Sequence, residues 1–225
     1  VIVHLGDYHY RESPCPKGDN RCKGSASGDN WKAWQQDFFS PAESLLTKSP
    51  FIFVRGNHEE CKRAYKGWFR FFAEKKSAVC DDLMPPYLVD LNKMSFVVFD
   101  SSTTPEATES PGYKKIFLEM NQLTKKAKST PLFLSHKPVW QLDKSGHLLK
   151  GALQRAMHST RFFSKFDFMI GSHVHSLQLF NLEKHPINGY NFHIRFDKPI
   201  GPIAGVSIMY PNNVYENIGY NPRDR

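Results

Sequence analysis

Residues 51–60 read FIFVRGNHEE: four apolar residues, an arginine and a glycine, then an amide, an imidazole and two carboxylates. A short apolar run bounded by a turn former reads as a buried strand, which puts Asn57 and His58 just past its carboxyl end. Three other apolar runs end in the same way. VIVHL (1–5) passes into Gly6 and Asp7, PLFLS (131–135) into His136, and FDFMI (166–170) into Gly171, Ser172 and His173, with His175 two places on. In an open α/β sheet, ligands bind beyond the carboxyl ends of the strands, where the loops converge. One Asp after a strand is an ordinary turn former and one His an ordinary structural residue. Four strand ends that all carry ligating groups point to a metal site. Carboxylate, amide oxygen and imidazole suit zinc, iron or manganese rather than a soft thiolate site. His173 and His175, two apart in an extended loop, point to opposite sides and can each serve a different ion, which suggests two metals.

Further runs, YLVDL (87–91), SFVVF (95–99), LQLFNL (177–182) and FHIRF (192–196), also read as strands. Helical patterns lie between them. Trp31, Trp34, Phe38 and Phe39 share one face after Asp29 as a cap, and SPAE (40–43) restarts a helix with Ser40 as N-cap, Pro41 at the first helical position and Glu43 closing a capping box. Strands alternating with helices predict an α/β architecture. Residues 101–112, rich in Ser, Thr, Pro and Glu, read as a surface loop, and no internal repeat is present. A length of 225 residues suits one sizeable core, so 1–225 is expected to form a single domain.

The hydrophobic fraction of 40% is that of a globular chain, and no apolar run approaches the ~20 residues that span a bilayer. A net charge of +8 favours anionic partners, phosphate esters or nucleic acid. The densest basic stretch, Lys114, Lys115, Lys125, Lys126 and Lys128, shares its segment with Ile116, Phe117, Met120, Leu123 and Ala127 at helical spacing. Those lysines read as a solvated helix face and not as a groove for nucleic acid. None of the four cysteines forms a CxxC pair of the kind that holds structural zinc. Their even number suggests local disulfides, Cys15 to Cys22 and Cys61 to Cys80, and hence a secreted or periplasmic setting; four reduced thiols in a cytoplasmic protein is the alternative.

Gly-Asp-x-x-Tyr at 6–10, Gly-Asn-His-Glu at 56–59, a strand ending in His136 and His-x-His at 173–175 together resemble the ordered motif set of the calcineurin-like metallophosphoesterases. Tyr10 is similar to the purple acid phosphatase branch. The resemblance implies two mixed β-sheets packed as a sandwich and flanked by helices. It also implies a first core strand, ahead of residue 1, that carries one more metal-binding Asp. It makes Asp7 the carboxylate that bridges two ions of iron, zinc or manganese. Tyr10, as a phenolate, and His175 would hold the first ion, and Asn57, His136 and His173 the second. The implied reaction is hydrolysis of a phosphomonoester by attack of a metal-bridging hydroxide, with His58 as proton donor to the leaving group. Two ions roughly 3.5–4 Å apart clamp the phosphate and neutralise charge during in-line displacement. General acid catalysis by His58 adds ~10²–10⁴-fold.

GDYHYRES also resembles the GDYVDRG stretch of the Ser/Thr protein phosphatase branch, whose arginine contacts the substrate phosphate. Arg11 falls at that place, with Tyr10 and Glu12 replacing that branch's Asp and Gly; phosphate binding and a solvent-exposed loop arginine are both open to it. Arg55 reads as a brace for its loop. His4, His9, His147, His158, His185 and His193 have no companion ligand motif and read as packed or exposed residues, and Asp100 reads as structural. Ser172 stands where the family has glycine, which a serine tolerates at ordinary backbone angles. A phosphodiesterase or protein Ser/Thr phosphatase would use the same ligands, and a catalytically degenerate metal-binding module is the non-enzymatic alternative.

Overall fold

Two short parallel strands, β1 (Ile2–His4) and β2 (Phe51–Phe53), pair in the register Ile2 with Phe51, Val3 with Ile52 and His4 with Phe53. They belong to a computed structural model that describes residues 1–74, 79–104, 111–139, 141–142, 148–149, 152–160, 166, 169–174, 179–180, 207–209 and 215–217. The chain forms two units, Val1–Met84 with Ser101–Thr103, and Pro85–Asp100 with Thr104–Arg225.

In the first unit, parallel pairing requires a crossover, which α1 (Trp31–Trp34), a π-helical turn (Gln35–Phe39) and α2 (Ser40–Leu46) supply as one continuous run. Its cap is Asn30 and not Asp29: Asn30 is extended and its side chain accepts from Ala33 N–H at 3.2 Å. Asp29 is drawn instead to other groups, taking Trp34 Nε1–H at 2.8 Å and the backbone N–H groups of Lys66 and Gly67 at 2.7 and 3.0 Å. It thereby serves the first turn of α3 (Tyr65–Phe71). Ser40 does not restart a helix. Its own backbone is helical, and its N–H reaches back five residues to Gln35 O. Pro41 has no N–H to donate, and the wider π turn ahead of it lets the helix run on.

The core of this unit is aromatic: Tyr8, Trp34, Phe38, Trp68 and Phe69 are all buried. Gly67 lies flat against the fully buried Trp34, and a Cβ there would stand 2.0 Å from Trp34 Nε1. Gly67→Ala is therefore expected to cost about 2–3 kcal/mol, since a buried indole has nowhere to move; an unfolding midpoint equal to that of the parent in a urea titration would refute this packing.

In the second unit, β3 (Tyr87–Asp90) pairs antiparallel with β4 (Ser95–Phe99), and β4, β5 (Pro131–Ser135) and β8 (Met169–Ile170) follow in parallel, giving the order β3-β4-β5-β8. All five residues of β4 are buried, as a continuous apolar run in a parallel sheet requires. Helix α4 (Pro111–Lys126) forms the β4–β5 crossover and buries Tyr113, Ile116, Phe117 and Met120, with Phe117 5.6 Å from Phe99. Lys114, Lys115, Lys125, Lys126 and Lys128 are all exposed, the solvated face expected of them. The unit also contains α5 (Ala152–Thr160), the antiparallel pair β6 (Gln141–Leu142) and β7 (Leu148–Leu149), and a mixed sheet of β9 (Leu179–Phe180), β10 (Ser207–Met209) and β11 (Tyr215–Asn217). The chain is thus the mixed α/β protein, with sheets flanked by helices, that the strand and helix alternation predicts. FHIRF (192–196) lies outside the described residues. Of the supposed surface loop, Ser101, Ser102 and Thr104 are buried, and 105–110 lie outside the described residues. Both expected disulfides are formed, which fits an oxidising compartment. No described helix is long and apolar enough to cross a membrane.

Candidate metal centre

Because β1 and β2 run parallel and in register, their carboxyl ends emerge side by side. The Tyr8 hydroxyl joins them: it lies 3.0 Å from the carbonyls of both His4 and Val54 and accepts from Val54 N–H at 3.1 Å. Beyond it, the first strand turns sharply, with Gly6 at φ 98° and Asp7 at φ 60°. The second enters a single 3₁₀ turn, Asn57–Glu59.

One side chain binds the two loops together. Glu59 is fully buried; its Oε2 accepts from the backbone N–H groups of Asp7 and Gly56, each at 3.0 Å, and its Oε1 from those of Tyr8 at 2.7 Å and His9 at 3.1 Å. Burial and then the nearby Asp7 charge push this carboxyl up to about 8, against the opposing pull of the Tyr8, His9 and Asp7 N–H groups. The backbone is packed just as closely: a Cβ on Gly56 would stand 2.2 Å from Asp7 N and 2.3 Å from Asp7 Oδ1.

On this frame Asp7 Oδ1 accepts from His58 N–H at 3.3 Å, and Oδ2 accepts from the Tyr10 hydroxyl at 3.1 Å. The Tyr10 ring is half-exposed and packs against the His58 imidazole, centroid to centroid at 4.1 Å. His58 Nδ1 lies 2.6 Å from Glu12 Oε1. Asn57, partly buried, heads the 3₁₀ turn. A carboxylate, a phenol and an imidazole therefore meet at one strand edge.

The Tyr10–Arg11 segment is held from the π turn. Asp37 Oδ2 accepts from the backbone N–H groups of Tyr10 and Arg11, each at 2.8 Å, and lies 3.2 Å from His9 Nδ1, while Oδ1 lies 2.7 Å from Arg11 Nε. Burial acts to raise the Asp37 carboxyl, but these partners outweigh it and hold the group below the usual carboxylate range. His9 is fully buried and stacked on Trp34 at 5.1 Å, and His4 stacks on Tyr8 at 4.2 Å, so both are packing residues. Arg55 is a brace, as expected: Nε donates to Glu59 O at 2.9 Å, Nη1 to Asp81 O at 2.6 Å, and Nη2 lies 3.2 Å from Cys80 Sγ in the Cys61–Cys80 disulfide.

In the second unit, β5 and β8 are also parallel, aligning Phe133 with Met169 and Leu134 with Ile170. His136 and the segment Gly171–His173 consequently emerge at the same end. Ser172 N–H donates to His136 O at 2.7 Å, the two imidazoles lie 5.1 Å apart, and one ring nitrogen of each lies within 4.8 Å of the other. His136 is fully buried. Ser172 takes ordinary angles, and the left-handed residue is His173, at φ 71°. Asp100 is buried at the end of β4, consistent with a structural place. His175, His147, His185 and His193 lie outside the described residues.

The donor set fits metal ions. Among the described residues, Asp7, Asn92 and His173 are the non-glycine positions at positive φ. Asn92 sits in the β3–β4 hairpin, where asparagine commonly takes that conformation. Asp7 ends the sharp turn that opens at Gly6, and His173 is the middle residue of a three-residue turn closed by Val174 N–H donating to Ser172 O at 2.8 Å; a positive-φ turn of this kind is strained, and such strain gathers where a ligating side chain has to be aimed.

The motif spacing left Glu59, Glu12, Arg63 and Asp37 without roles, although all four organise this edge. Only Glu59 had a local signal, since a Glu at the third position of a turn can reach back to the first N–H. A family model described as calcineurin-like phosphoesterase matches residues 1–177. No curated protein matches the chain.

Proposed function

Because the chain belongs to the calcineurin-like phosphoesterases, we propose that it hydrolyses phosphomonoesters at a centre of two metal ions, with His58 as general acid. The family carries metal-dependent hydrolysis of phosphate esters. The finer reading rests on the strand edge where the Tyr10 hydroxyl meets Asp7 Oδ2 at 3.1 Å with His58 packed against the phenol. Phenol and carboxylate oxygens are hard donors suited to ferric iron, which supports the purple acid phosphatase-like branch. Asp7, Tyr10 and His175 would hold one ion, and Asp7, Asn57, His136 and His173 the other, an ion of zinc, iron or manganese. Bound there, two ions supply Lewis-acid stabilisation of charge on the phosphoryl oxygens.

The protein's own groups do the rest. Arg11, a third exposed with its Nε held by Asp37, contacts the substrate phosphate. His58 gives the proton on Nε2 to the leaving oxygen, which keeps the electron pair of the broken P–O bond. Residues 1–225 belong to one such domain, and the two disulfides support a secreted or periplasmic protein.

His58→Ala tests the assignment. It should lower kcat on phenyl phosphate by ~10²–10⁴-fold while metal content, read by elemental analysis, stays at the parental value. Loss of the metals or retention of the full rate would sink it. Bis(p-nitrophenyl) phosphate and a phosphopeptide, assayed in parallel, distinguish the diesterase and protein phosphatase readings.

A further inference from the structure

The general acid is not alone on its loop. Glu12, five residues beyond Asp7, turns its carboxylate onto His58, with Oε1 2.6 Å from Nδ1. Arg63, four residues beyond Glu59, grips the same carboxylate with two prongs: Nε donates to Oε2 at 2.8 Å, and Nη2 lies 2.8 Å from Oε1. This is the planar fork that fixes a carboxylate in one orientation. Arg63 is anchored in turn, its Nη1 reaching Asn57 O at 3.4 Å and its backbone N–H donating to Glu60 O at 2.9 Å. All three side chains are largely withdrawn from solvent, His58 at 17%, Glu12 at 25% and Arg63 at 28% exposure.

Arg63 Nη2 also lies 2.9 Å from His58 Nδ1 and 3.4 Å from Nε2, but a guanidinium can only donate, so against an imidazole that carries a proton on each nitrogen both contacts are non-bonding. The shorter, charge-assisted contact decides between them: Nδ1–H donates to Glu12, and Arg63 serves the carboxylate. A histidine whose Nδ1 holds its proton in this way has a defined tautomer and ring orientation.

We infer that Glu12, clamped by Arg63, is a positioning residue that keeps a proton on His58 Nδ1 and so commits Nε2 to the leaving-group oxygen. The inference rests on the phosphoesterase reading above. In the step itself, the P–O bond breaks, its electron pair stays on the leaving oxygen, the Nε2 proton moves to that oxygen, and His58 returns to the neutral form with Nδ1–H still on Glu12. Glu12 neither gains nor loses a proton.

Glu12→Gln keeps the shape but places an amide NH₂ against one prong of the Arg63 fork. With the melting temperature and metal content checked against the parent, kcat should fall ~10–100-fold on phenyl phosphate, the scale of losing an orienting partner. The fall should shrink to less than about 3-fold on 2,4-dinitrophenyl phosphate, whose leaving group needs no acid. In the His58→Ala background, Glu12→Gln should also cost less than about 3-fold, because it acts through the missing imidazole. A loss equal for both leaving groups, or one that multiplies with His58→Ala, overturns the inference. A readout independent of turnover is the ¹⁵N spectrum of the imidazole in zinc-loaded protein: His58 should hold its proton on Nδ1 in the parent and lose that preference in Glu12→Gln. If the parent hydrolyses no ester yet shows Nδ1–H held by Glu12, the functional reading fails and the positioning role stands. If the spectrum is unchanged by the substitution, the positioning role fails whatever the activity.

Discussion

Gly56→Ala is expected to abolish phosphoester hydrolysis and to destabilise the protein by roughly 3–5 kcal/mol. The position is not special for its backbone angles, which are extended at φ −92° and ψ 171°. It is special for what stands beside it. A methyl group there would lie 2.2 Å from Asp7 N, 2.3 Å from Asp7 Oδ1 and 2.7 Å from Glu59 Oε2. The nearest is backbone, and the two carboxylate oxygens are held, Glu59 Oε2 by the N–H groups of Asp7 and Gly56 and Asp7 Oδ1 by His58 N–H. Asp7 already sits at φ 60° after Gly6 at φ 98°, so its turn has little room to give. Moving Glu59 instead would strand the N–H groups that it satisfies. Overpacking a rigid site costs ~1–3 kcal/mol and one buried donor left unmet adds ~1–3 kcal/mol, roughly 2–6 kcal/mol together, of which the range stated is the middle. Both routes displace Asp7, so metal content should fall together with turnover. A Gly56→Ala protein with parental kcat, metal stoichiometry and urea midpoint would show that the two loops are not in such close contact.

The second large effect is expected at Glu59. Glu59→Gln should lower stability by roughly 3–5 kcal/mol, although it changes one atom. Each carboxyl oxygen accepts two backbone N–H groups, four in all. Ionised or protonated, a carboxyl oxygen keeps lone pairs with which to accept; an amide nitrogen has none and brings two more protons. Whichever way the Gln side chain is placed, its NH₂ faces two N–H donors in a fully buried site, and the two stranded donors set the scale at ~1–3 kcal/mol each. Differential scanning calorimetry and denaturant unfolding both read this directly. Glu59→Gln unfolding at the parental midpoint would mean that the four hydrogen bonds are not sustained in solution. The two substitutions attack one junction from opposite sides, so their effects should not add.

Much of the strand edge could be anticipated from residue types. The apolar runs at 51–54 and 131–135 end in Asn57, His58 and His136, and the strands found there, Phe51–Phe53 and Pro131–Ser135, bring those residues out at carboxyl ends. Periodicity also placed the lysine face of α4 in solvent. Local capping was harder to read, because neighbouring Asp29 and Asn30 are both good caps. Trp34 Nε1, Lys66 N and Gly67 N drew Asp29 away, two of them from more than thirty residues off. Ser40 failed as a helix start for a different reason: a π turn absorbed the proline that the local rule treats as a boundary.

Donor chemistry and hydrophobic period belong to single residues and their near neighbours, so the chain alone carries the strand ends, the metal-competent side chains and the paired cysteines. The fork of Arg63 on Glu12, the hold of Glu12 on His58 and three of the four N–H groups gathered by Glu59 join residues about fifty positions apart. Such contacts depend on distance and direction in three dimensions, and no spacing along the chain encodes them. Parallel pairing of β1 with β2 sets the two loops against each other; with that geometry fixed, burial makes an unmet N–H or a stray methyl group expensive, and a plain glycine and a glutamate become the residues on which the site depends.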